Sequence, residues 1–179
     1  VYLVFVGSLR ALLLTPLLSS ALAHRMQERQ VSGAAVLLGA LSGLVTATVA
    51  IASGDFRDEL LATAVILPLT AWHEAIRGHA FARDAPRTAA LADLRWFACF
   101  AGAVAAFTAF GGVEGWAAIL AWGAASAGGT VMRRITFRLD RLAPWKAVFS
   151  TGAPFLTEFL LRTGALPVSY THLRAHETR

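Results

Sequence analysis

Apolar residues fall in blocks along the chain, separated by short segments that carry arginine. The blocks cover residues 2–23, 31–53, about 60–75, 96–113, 116–132 and about 147–166. A bilayer core about 30 Å thick is crossed by a helix of roughly 20 apolar residues. No water is present there to satisfy backbone N–H and C=O groups, so each block must close its hydrogen bonds internally. The pattern predicts an all-α, polytopic membrane helix bundle of about six transmembrane helices, in one transmembrane domain over residues 1–168. Pro16, Pro68 and Pro154 fall inside blocks, a placement membrane helices tolerate when neighbours re-satisfy the freed carbonyl.

Composition agrees with the pattern. Of 179 residues, 56% are hydrophobic and 15% charged, where soluble domains carry about 25% charge. Mean hydropathy is +0.59. The net charge of +5 is spread over short segments between blocks rather than gathered in a basic tract, which argues against nucleic acid as a partner. The lone cysteine, Cys99, lies in an apolar block and reads as a small buried hydrophobe.

Placement of the charges sets a topology. Segment 24–30 holds Arg25 and Arg29; segment 76–95 holds Arg77, Arg83, Arg87 and Arg95; segment 133–146 holds Arg133, Arg134, Arg138, Arg141 and Lys146. The alternate segments hold Arg57 and none. Lys and Arg concentrate in cytoplasmic loops, so these three segments are expected on the cytoplasmic side of a bacterial inner (cytoplasmic) membrane, with the N-terminus of the chain outside. Trp96, Trp116 and Trp145 flank blocks where interfacial tryptophans belong. The start at Val1 inside an apolar run suggests truncation. Residues 169–179, SYTHLRAHETR, turn abruptly polar and resemble translated sequencing-adapter read-through. That tail, with His172 and His176, is expected to make no packed contact.

The chain also repeats itself. Ala52-Ser53-Gly54-Asp55-Phe56-Arg57-Asp58 ends the second block and Gly128-Gly129-Thr130-Val131-Met132-Arg133-Arg134 the fifth, 76 residues apart. With three spans per half the two copies run in opposite directions, the signature of a three-plus-three inverted repeat. Residues 2–76 and 94–166 are then expected to superpose, with Gly54 near Thr130. The motif resembles that of the trimeric intracellular cation channels (TRIC) and their bacterial glycine-transporter-repeat relatives, which carry a Gly-Gly-Gly-x-apolar-Arg-Asp-like motif in their second and fifth helices. The stretch Gly112 to Arg134, the later Val148-Phe149-Ser150-Thr151 and the first-helix end Ser19-Ser20-Ala21-Leu22-Ala23 carry the resemblance. It departs at the family's acidic position, kept by Asp58 but occupied by Arg134 in the second copy, and at the lysine missing from the fourth span. The resemblance implies a channel or carrier.

Other constellations are weaker. His73 and His79 are six residues apart, about 240° round a helix, so they cannot share an ion as in HExxH, and Arg77 opposes one. No nucleophile elbow, phosphate loop or carboxylate pair is present, so no enzyme, metal or cofactor is indicated. Gly39 and Gly43, and Ala124 and Gly128, have the spacing that lets helices touch in lipid, and such faces allow self-association. The leading reading is passage of a small ion or solute between two inverted halves. Helices two and five would line the path, with Gly54, Gly128 and Gly129 as flexible points and Arg57, Asp58 and Arg133 near its mouths. The alternative is a membrane-bound enzyme or assembly subunit that holds an anionic lipid or a partner through its Arg-rich loops. Arg10 and Glu158 lie deepest in apolar blocks, at matched depth, and are expected to pair between adjacent helices one and six. The local competitor is Glu158 with Arg162.

Overall fold

The computed structural model describes residues 2–18, 28–54, 56–110, 114–131 and 148–163. Among them all regular structure is helical, in six helices. Helix α1 is α-helical over Tyr2–Leu9, makes a π-helical turn over Arg10–Leu14 and resumes over Thr15–Leu18. Helices α2 (Glu28–Ala52), α3 (Arg57–Ala82), α4 (Pro86–Ala109) and α5 (Gly115–Val131) follow, and α6 covers 148–163. Segments 24–27 and 133–146, Arg133 itself and the tail 169–179 lie outside the described residues.

Two prolines shape the packing. Pro68 has no N–H to donate to the carbonyl of Ala64 one turn earlier, and Gly43 of α2 lies against that oxygen: a Cβ on Gly43 would stand 2.5 Å from it. Gly39, one turn away, would place a Cβ 2.7 Å from Pro68 Cα and 2.8 Å from the Leu67 carbonyl oxygen. The pair at GxxxG spacing is thus the contact surface of α2 on α3. Pro16 likewise cannot donate to Leu12, and the π turn, in which Thr15 N–H donates to Arg10 C=O, passes through the same stretch. Gly152 of α6 sits against the Leu12 carbonyl so closely that any Cβ would overlap it.

The contacts fix helix directions. Gly39 and Gly43 meet Leu67 and Ala64, so α2 and α3 are antiparallel; Arg10 and Leu14 meet Glu74 and Gly78, so α1 and α3 are parallel. Gly123 and Gly129 meet Ile66 and His73, aligning α5 with α3, while α4 runs against α5 and α6 against α1. The helices alternate, and the ends of α1, α3 and α5 share one end of the bundle with the starts of α2, α4 and α6. The hydrophobic core gathers Leu12 and Leu13 of α1, Val31 and Ala35 of α2, Leu67 and Ala71 of α3, and Val148 of α6.

Segment 76–95, expected as a loop, is helical except for residues 83–85. Asp84 takes a left-handed conformation (φ 50°). Ala85 N–H then donates to Ala80 C=O at 2.9 Å and Asp84 N–H to Phe81 C=O at 3.1 Å, the double closure of a Schellman turn. Pro86, with φ preset for a helix start, opens α4. The charged residues Arg77 and Asp93 therefore belong to helix faces, not to a loop.

Helices α2 and α4 contain spans, Gln30–Ala52 and Pro86–Ala109, long and apolar enough to cross a membrane. Leu41, Leu44, Val45 and Ile51 of α2, Val65 of α3, Leu91, Leu94 and Phe97 of α4 and Leu161 of α6 all point outward.

The glycine contact is testable. Gly43→Leu must push a side chain into the Ala64 carbonyl and is expected to cost about 1–3 kcal/mol, as overpacking does. The measurement is thermal unfolding of the purified chain in detergent. Gly102→Ala, whose Cβ meets nothing within 4 Å, should be neutral or mildly stabilising. Equal tolerance of both substitutions would contradict the close α2–α3 approach.

Candidate functional site

A polar stripe runs along α3. Thr70, His73, Glu74 and Arg77 follow at helical spacing, so they share one face, turned toward α1, α4 and α5. Thr70 donates back to the carbonyls of Ile66 and Leu67 and needs no outside partner. The other three join an alternating ladder of charge. Arg10 of α1 donates from Nη2 and Nε to Glu74 Oε2, at 3.0 and 3.2 Å. Arg77 Nη1 reaches Glu74 Oε1 at 3.4 Å, and its Nε lies 3.1 Å from Asp93 Oδ2 of α4. His73 Nε2 stands 3.5 Å from Asp93 Oδ1. Glu74, the centre of the ladder, is mostly buried, while Arg10 and Asp93 at its ends are about half exposed.

The ladder lines a cleft of about 560 Å³ formed by α1, α3, α4 and α5. Its far wall is aromatic. Trp96 stacks on Phe100 at 5.4 Å, meets Trp122 edge-on at 4.5 Å and donates from Nε1 to Ser126 Oγ at 3.2 Å. His73 lies 6.4 Å from the Trp96 ring. Its Nδ1 is buried with no hydrogen-bond partner among the described residues, against Gly129, where a Cβ would stand 3.3 Å away.

Arg10, Glu74 and Arg77 also border a smaller cleft of about 250 Å³ with Leu18 and Phe81, toward the shared helix ends. On the other side Trp122 is common to the charged cleft and to an apolar groove of about 400 Å³ lined by Thr63, Ile66, Phe100, Ala118 and Ile119. Three spaces thus follow one another along the bundle.

The residues singled out from the sequence are scattered. Gly54 has nothing within 4 Å of a built Cβ, and Arg57 and Asp58 are exposed at the start of α3. Gly128 abuts Cys99 Sγ, which a Cβ would approach to 2.6 Å, and Gly129 packs behind His73 without itself lining the cleft. Helix α2 does not line it. Helices α1 and α6 are neighbours, but Arg10 pairs with Glu74 rather than Glu158. Glu158 takes the local partner, Arg162, at 2.6 Å. The reason is reach: Glu74 presents its carboxylate from a parallel helix one contact away, whereas Glu158 is exposed on the outer side of α6. Trp96 lies ten residues into α4, in the cleft wall. Sequence reasoning missed Glu74, Arg77, Asp93, Trp122 and Ser126 as a group; the spacing of 70, 73, 74 and 77 was the available signal.

No family model, curated protein or solved structure matches the chain.

Glu74 is the keystone of this ladder. Glu74→Gln leaves two guanidiniums without their shared anion and is expected to cost about 1–2 kcal/mol, the lower part of the range because Arg10 is half exposed. Glu158→Gln should cost no more than about 0.5 kcal/mol, as for exposed helix pairs. A double-mutant cycle of Arg10→Gln with Glu74→Gln should give a coupling of at least about 0.5 kcal/mol. A coupling of zero would mean that the Arg10–Glu74 contact carries no stability.

Proposed function

We propose that the chain is a multi-pass membrane protein whose charged cleft admits a small ion or solute for passage across the cytoplasmic membrane. The observation that carries this reading is the series of three adjoining spaces, with ionisable groups at its centre, inside a bundle whose outer surface is apolar. Ionisable groups set among apolar helices are costly and are retained where an ion or solute path needs them. An outward apolar surface of this extent is what lipid, rather than water, accommodates. The alternating helix directions bring Arg77, Arg83 and Arg87 to one end, consistent with a cytoplasmic basic side.

In this reading the path follows α1, α3, α4 and α5. The inverted repeat and the TRIC-like motif remain part of the proposal through α5, whose Gly129 backs His73; Gly54 and Arg57 then serve the outer end of α2 and α3. A second reading, a membrane enzyme, draws on the His73–Asp93 pair, which has the form of a base with its orienting carboxylate.

Cysteine labelling tests the proposal. In a Cys99→Ala background, Arg83→Cys and Glu114→Cys should react with a membrane-impermeant thiol reagent from opposite sides of sealed vesicles. Ser126→Cys, in the cleft wall, should also react, because an ion path must be wetted. Labelling of positions 83 and 114 from one side would overturn the topology. An inert Ser126→Cys beside a reactive Arg83→Cys would overturn the path and leave the enzyme reading.

A further inference from the structure

The cleft and the groove beyond it are one amphipathic site. The charged ladder occupies the last two or three turns before the α3–α4 turn: Arg77 is five residues from the end of α3 and Asp93 seven from the start of α4. At 1.5 Å per residue these lie roughly 8–11 Å from that end. The groove follows deeper: Ile66 is sixteen residues from the same end, or roughly 24 Å. It is apolar apart from Thr63, whose hydroxyl is already committed to the Glu59 carbonyl at 2.7 Å. Passing inward from the basic end, the surface is therefore charged, then aromatic at Trp96 and Trp122, then aliphatic. That is the order of headgroup, interface and acyl chain in one leaflet of a bilayer.

The ladder also specifies the headgroup. Arg10 and Arg77 are balanced by Glu74 and Asp93, so the cleft holds no net charge with His73 neutral. Its two half-exposed ends have opposite sign: a guanidinium with spare donors at Arg10 and a carboxylate at Asp93. A simple anion would meet the carboxylates, and a simple cation the guanidiniums. A group with a phosphate and an ammonium can use both ends. We propose that the ligand of this cleft is a zwitterionic glycerophospholipid, its phosphate at Arg10, its ammonium at Asp93 and an acyl chain along the Ile66–Ala118–Trp122 groove. This rests on the proposed function for the membrane setting and for a cleft that admits a solute, and it makes that solute a lipid rather than a small ion.

The test uses the full chain purified in non-ionic detergent and follows its thermal unfolding against four soluble probes: short-chain phosphatidylethanolamine, short-chain phosphatidylglycerol, phosphoethanolamine and inorganic phosphate. Phosphatidylethanolamine should stabilise at concentrations at least about tenfold below phosphoethanolamine, since only it fills the groove, and at least about tenfold below phosphatidylglycerol. Asp93→Asn, at a half-exposed position, should remove the preference over phosphatidylglycerol. Ala118→Trp should remove the preference over phosphoethanolamine. Equal potency of phosphoethanolamine and the lipid in the unsubstituted protein would overturn the acyl site while leaving a small-solute path intact. Equal or better binding of phosphatidylglycerol would overturn recognition by the balanced ladder. No stabilisation by any probe would overturn the proposal, whereas the path itself stands or falls on labelling of Ser126→Cys.

Discussion

The packing depends on a recurring contact: a carbonyl that proline has left without its helical donor, met by a glycine from the next helix. Ala64 is such a carbonyl through Pro68, and Gly43 lies on it; Leu12 is another through Pro16, and Gly152 lies on it. A freed carbonyl in an apolar setting is costly. A glycine Cα–H brought against it recovers part of that cost, about 0.5–1 kcal/mol for each such contact. The larger effect is geometric. Only a residue without a Cβ allows backbones this close, so each pair fixes the register of two helices to within a residue. The α2–α3 and α1–α6 pairings are both set this way, and α1 and α3 are then joined by Arg10 and Glu74.

The charged ladder follows from that arrangement. Once α1 runs parallel to α3, position 10 falls beside position 74, and once the Schellman turn at Asp84 folds α4 back, position 93 falls beside 73 and 77. Each charge then has a partner of opposite sign on a different helix or one turn away. Alternation is what makes the set tolerable, because a buried ion without its counter-ion costs several kcal/mol. Glu74 is the shared member: its removal leaves Arg10 with no carboxylate and Arg77 with Asp93 alone, whereas without Arg10 Glu74 keeps Arg77, and without His73 Asp93 keeps Arg77.

The helical class, six helices and most of their centres were legible from the blocks of apolar residues, because block length and helix length answer to the same constraint. Gly39 and Gly43 were legible as a contact pair for the same reason. The ends of α3 and α4 were not. A window that counts charges assigns 76–95 to a loop, yet the chain turns in three residues at 83–85, and Arg77 and Asp93 are helical and lie against each other across that turn. The site was hidden by that same error, since Arg77 and Asp93 fell in the segment read as a loop while His73 and Glu74 fell at the end of a span. Arg10 was recognised as too deep to be alone, but depth along a helix does not say which neighbour lies beside it; that is decided by the glycine contacts. The repeat motif pointed to α2 and α5, and its Gly129 packs against His73, one residue of the cleft wall.

Helix α3 ties these levels together. Its residues 64, 67, 68 and 71 form the surface on which α2 rests, and 70, 73, 74 and 77 form the polar stripe, about a third of a turn or more away. Every other helix that builds the cleft is placed relative to α3: α1 through Glu74 and Gly78, α4 through His73 and Arg77, α5 through Ile66 and His73. Proline at position 68 therefore acts at two distances. It opens the backbone toward Gly43 on one side, and it sits two residues before the first member of the polar stripe, where loss of a main-chain bond locally loosens the helix. The glycine pair on the outer face and the charges on the inner face are thus parts of one device, in which close backbone contact on one side of a helix determines where the charges stand on the other.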